Sequence, residues 1–122
     1  MDQTLKNRYD YYVYQMTLLR PLISKLTERC ALFRRKCEQN IFVHLFNLRR
    51  LKKLHASMQD LYSSFDELNQ KRTFLWGMLS SAYTIDDVVY VSKQFDHVYE
   101  NMSGLDHRVQ QVDKFLKTIE KK

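Results

Sequence analysis

Over the last third of the chain, Val88, Val91, Phe95, Val98, Met102, Leu105, Val109, Val112, Leu116 and Ile119 recur at alternating steps of three and four. Two turns of α-helix take about seven residues, so this spacing draws one narrow apolar seam along a helix that packs on another helix. The start of that helix is also legible. Thr84 is placed to cap it, Asp87 to reach back as a capping-box partner, and Asp86 and Asp87 suit the positive end of the helix dipole. Gly104 falls on the outer face, where it weakens the helix slightly without disturbing the seam.

A second heptad runs through the first two-thirds. Its a positions are Tyr9, Met16, Ile23, Cys30, Cys37, His44, Leu51, Met58, Phe65, Arg72 and Leu79. Its d positions run from Leu5 through Tyr12, Leu19, Leu26 and Phe33 to Leu54, Leu61, Leu68, Leu75 and Ala82. Only Asn40, His44, Asn47 and Arg72 break it with strongly polar groups, and three of these lie in the stretch NIFVHLFNLRR. There the apolar residues move to Ile41, Phe42, Leu45, Phe46 and Leu48. Two readings fit. One is a single helix from about Leu5 to Ser80 with polar layers that set register. The other is a reversal near Glu38-Gln39-Asn40, with Asn40 as a cap and Arg34, Arg35 and Lys36 in the last turn before it. Pro21 sits at an outward position, where a kink or a helix restart is expected.

These patterns predict an all-α protein, an elongated antiparallel helical bundle or coiled coil of two or three long helices. The up-down-up three-helix form is preferred, as one domain over residues 1–122 with helices at about 4–38, 41–80 and 85–120. Composition agrees. Two glycines and one proline in 122 residues supply almost none of the turn material that β or α/β folds need. No run approaches the roughly 18 apolar residues of a membrane span, and the first twelve residues lack the apolar centre of a signal peptide. The expected setting is soluble and intracellular, cytoplasmic or nuclear. Cys30 and Cys37, about 10 Å apart on one helix, are expected as reduced thiols with no mutual disulfide.

Charge narrows the function. The net charge is +6, and the excess is concentrated between Arg20 and Lys53, where ten basic residues face only Glu28 and Glu38. Arg34, Arg35, Lys36, Arg49, Arg50, Lys52 and Lys53 are the candidates for contact with phosphates of nucleic acid or anionic lipid. The simpler expectation is a solvated face or one matched to an acidic helix. Catalytic chemistry has little material. His44, His55, His97 and His107 have no metal-binding spacing, and the Asp96-His97 and Asp106-His107 neighbours point in different directions on a helix. No phosphate loop is present. No enzyme activity, cofactor, metal or small-molecule substrate is expected.

Association remains. Tyr11 and Tyr14 lie off the seam, and Leu18 and Leu32 continue the line of Tyr11, so this helix is expected to touch two neighbours. Phe74 and Trp76 likewise exceed a single seam. The expected partner-binding residues are Ile41, Phe42, Leu45, Phe46, Phe74, Trp76, Tyr11 and Tyr14. The general form is similar to small subunits of kinetochore, vesicle-tethering and lysosome-related-organelle complexes, although no motif assigns the chain to one. The reading is a non-catalytic coiled-coil adaptor whose partners are other helical proteins in a hetero-oligomeric complex. The alternative is a nucleic-acid or anionic-membrane binder using the basic segment.

Overall fold

In a computed structural model describing residues 2–120, the chain forms four helices that pack against each other, with no strand among these residues. The first, α1 (Gln3–Glu38), begins where the Asp2 carboxylate accepts the Leu5 amide at 3.0 Å. It continues through Pro21 without a break. Pro21 is exposed, and so is Thr17, whose carbonyl loses its helical donor there because proline has no N–H. Arg35 and Lys36 lie in the last turn, the favourable end of the helix dipole for cations.

The chain breaks at Gln39 and Asn40. The Asn40 side chain then accepts the Phe42 amide at 2.8 Å and starts α2 (Ile41–Phe46). A continuous helix over 5–80 therefore does not form. Where the reversal reading expects one helix over 41–80, there are two, because Asn47 interrupts it before α3 (Leu48–Ser80). Its backbone lies at φ −100°, ψ 9°, and its amide is shared between the carbonyls of Val43 (3.1 Å) and His44 (3.2 Å). Asn47 Nδ2 also donates to Val43 O at 2.9 Å, and Asn47 Oδ1 accepts from Arg50 Nη1 at 3.0 Å. A short polar side chain that competes for the backbone carbonyls of its own turn distorts a helix locally. Asn47 is the one polar residue buried among the described residues.

The last helix, α4 (Ile85–Glu120), has a reciprocal cap. Thr84 Oγ1 accepts the Asp87 amide, and Asp87 Oδ2 accepts the amides of Tyr83 and Thr84, all at 3.1 Å. These hydrogen bonds, from the Thr84 and Tyr83 backbones first, hold the Asp87 carboxyl below the ordinary carboxylate range.

α1 packs on both α3 and α4, and α3 packs on α4. Residue numbers rise together along the α1–α4 contact, from Arg8 with Asp96 to Arg29 with Glu120. They oppose each other along α3–α4, where Asp60 meets Arg108 and Lys53 meets Phe115. One core runs between the three long helices. Leu5, Tyr12, Leu19, Ile23 and Leu26 of α1 meet Leu54, Leu61, Leu68, Leu75 and Leu79 of α3 and the seam of α4. Nine of the ten seam residues, Val91 to Ile119, are buried, and Val88 packs half-buried at the edge. Each fully buried Leu, Val or Phe contributes about 1.5–3 kcal/mol relative to exposure, which makes this seam the main cohesive element.

Candidate functional site

The end of the bundle that carries α2 is built unlike the rest. None of the six residues of α2 is buried. Ile41 is 68% exposed, Phe42 78% and Phe46 84%, with Val43 and Leu45 also open to solvent. The geometry follows from the two asparagines. Asn40 starts a new helix and Asn47 ends it after six residues, too few to lay an apolar stripe along α1 or α3. His44 turns inward, where its Nδ1 is enclosed without a hydrogen-bond partner. An open cavity of about 420 Å³ lies behind the tip, lined by Leu32, Phe33, Cys37, Val43, Phe46 and Ile119 among others. Cys30 and Cys37 are free thiols, and burial raises the pKa of both.

The basic candidates flank this tip. Arg34, Arg35 and Lys36 end α1; Arg49, Arg50, Lys52 and Lys53 open α3. None forms an ion pair among the described residues. Arg50 is half-buried and is held by Asn47, while Lys53 lies 4.3 Å over the Phe115 ring. Arg34, Arg35, Lys36, Arg49 and Lys52 remain exposed. The nearby Glu120 is occupied by Arg29, which holds its pKa down with lesser help from Lys36.

The other partner candidates fall on separate faces. Tyr9 packs tilted against Trp76 of α3 at 5.1 Å between ring centroids, and Lys6 lies 5.9 Å over the same indole. Trp76 thus has a packing role within the chain as well as an open face, while Phe74 is exposed. Tyr11 points to α4 instead, edge-on to Tyr99 at 5.4 Å. Tyr11, Tyr14, Leu18 and Leu22 form a line of exposed apolar residues along α1, with Leu32 further on. Sequence reasoning missed Leu22, as well as Tyr83 just before α4 and Ile85, Val89 and Tyr90 at its start, all of them exposed. The signal was there: Ile85 and Val89 are four apart and outside the seam.

Two arginines, also missed, tie α1 to α4. Arg8 contacts Asp96 at 2.5 Å and stacks 4.9 Å over Tyr99, whose hydroxyl donates to Arg8 O at 2.7 Å. Arg29 reaches Asp113 at 2.5 Å and Glu120 at 2.6 Å. Arg8 and Arg29 are three heptads apart, hence on one face, a spacing that could have suggested the pairing.

Among the described residues no group of three or more His, Cys, Asp or Glu is placed to hold a metal ion, and no helix is long and apolar enough to cross a membrane. No family model matches the chain, and no curated protein or solved structure matches it either.

Proposed function

We propose that the protein is a non-catalytic helical adaptor that binds a helix of a different protein along the outer face of α1. The observation that carries this reading is the line Tyr11, Tyr14, Leu18 and Leu22. These residues follow one another at three- and four-residue steps, and each is 44–60% exposed. The line is a second apolar stripe on a helix whose first stripe is already buried by α3 and α4. It spans about 16 Å, three turns, the length over which an amphipathic helix presents its own i, i+3, i+7 anchors. Two tyrosines at one end add large rings with polar tips, the residue type most effective at interfaces. The bundle thus serves as a rigid rod, and the stripe is what it offers to its partner.

The test places a photo-crosslinking amino acid at Leu18, and separately at Gln110 on α4, in the full chain inside the cell. The expected result is a discrete adduct with one other polypeptide from Leu18, absent from Gln110 and abolished by Leu22→Glu. The adduct maps to an amphipathic helix of that partner. Equal adducts from both positions, an adduct only with a second copy, or a purely monomeric chain of 14.8 kDa in extract would each overturn the proposal.

A further inference from the structure

We infer that the α2 end of the bundle is a contact site for an anionic bilayer surface, with Phe42 and Phe46 entering the headgroup boundary and Arg34, Arg35, Lys36, Arg49 and Lys52 forming a cationic collar behind them. The inference rests on other residues than the α1 stripe and goes beyond it.

Shape comes first. At about 100° per residue, Ile41, Phe42, Leu45 and Phe46 spread over an arc of roughly 140° on a helix of only six residues. A docked helix covers a narrow stripe over several turns, whereas this is a single broad apolar face on a short exposed tip. The boundary between headgroups and acyl chains conforms to such a tip. The inserting groups are Phe, Leu and Ile, without polar ends that would need partners there.

Charge complementarity selects the anionic surface. From Arg34 to Lys53 the chain carries seven Lys or Arg and a single carboxylate, Glu38. No acidic residue occurs between Glu38 and Asp60. The exposed members of this set have no ion-pair partner among the described residues, whereas Arg8, Arg29 and Arg108 elsewhere are each satisfied by carboxylates. Four to eight cations beside an apolar anchor are the combination that binds acidic lipid, because neither signal is sufficient alone. Duplex nucleic acid would use the cations but leave Phe42 and Phe46 in water.

The test is co-sedimentation of the full chain with phosphatidylcholine vesicles, with and without about 30% phosphatidylserine. The expected result is binding to the acidic vesicles only, weakening as salt rises. Phe42→Ser with Phe46→Ser, and separately Arg49→Glu with Lys52→Glu, should each reduce binding at least about tenfold. Circular dichroism should be unchanged, since all four side chains are exposed. A Phe46→Trp variant should gain blue-shifted emission on the acidic vesicles. Equal binding to neutral vesicles, or no binding to acidic ones, overturns the inference. So does full retention of binding in the double serine variant. Preferential binding of duplex DNA or RNA, insensitive to the phenylalanines, or of an acidic peptide in place of vesicles, would assign the collar to another ligand.

Discussion

The Tyr12 hydroxyl, enclosed in the core, donates to the backbone carbonyl of Leu68 and joins the middle of α1 to α3. Burial pushes its phenol from 10.0 up to about 12, with Tyr9 adding to the shift and Arg72 opposing it. In the folded state Tyr12 therefore keeps a proton that the unfolded chain has already released. The stability this contributes is complete below pH 10 and is lost as pH rises through about 12. Tyr12→Phe should flatten the fall in stability across that window, measured by urea unfolding at stepped alkaline pH. At neutral pH it should cost only about 1 kcal/mol, because the Leu68 carbonyl keeps its helical donor. Tyr12→Ala should cost roughly 3–5 kcal/mol by leaving a cavity.

Arg29 is a fork between two carboxylates of α4, and it holds both Asp113 and Glu120 below their ordinary range; Lys117 assists at Asp113. The fork is only partly shielded from water, so Arg29→Ala should cost about 1 kcal/mol at low salt, with the difference shrinking in high salt. Both carboxylates have lowered pKa values in the folded state. Their contribution is thus present above the ordinary carboxylate pKa and disappears as pH falls through the lower folded values. Thermal unfolding of wild type and variant should converge in acid. A difference that persisted there would mean that Arg29 acts through its aliphatic stem.

Asn47 holds the α2–α3 junction by donating to Val43 O and accepting from Arg50. Asn47→Ala should destabilise the chain by roughly 1–2 kcal/mol, since two hydrogen bonds at a buried position are lost. It should also free Arg50. Amide exchange should accelerate over Ile41–Phe46 and stay slow in the α4 seam. Uniform acceleration would instead mean that the junction is part of the global unfolding unit.

The start of α4 depends on the reciprocal pair Thr84 and Asp87. Thr84→Ala should cost about 1 kcal/mol of stability. Asp87→Asn should remove the acid-dependent part of the cap, which is complete above the ordinary carboxylate pKa and lost as pH falls through the lowered folded value. A helical signal at 222 nm that falls in acid equally in wild type and Asp87→Asn would place the acid sensitivity elsewhere.

The seam from Val88 to Ile119 and the Thr84–Asp87 cap were legible because each is a local pattern, set by helix period and by the first turn. Tyr12 was legible as a seam position, but its acceptor was not: Leu68 is 56 residues away. The asparagines at 40 and 47 marked a disturbance without deciding its form. Their side chains could either face a partner in a long helix or bond to their own turns. In the folded chain Asn40 caps, Asn47 interrupts, and His44 is left between them with an unpaired nitrogen.

By itself the sequence determined that the fold is all-α, where its main seam runs and where its positive charge is concentrated. Periodicity, propensity and composition act within a few residues and need no fold to be read. Only the tertiary structure decided which apolar residues stay outside. Burial of one stripe of α1 by α3 and α4 left Tyr11, Tyr14, Leu18 and Leu22 uncovered, and two asparagine-defined breaks left α2 too short to cover its own. Exposure is a property of what packs against a residue. That depends on chain segments dozens of residues away.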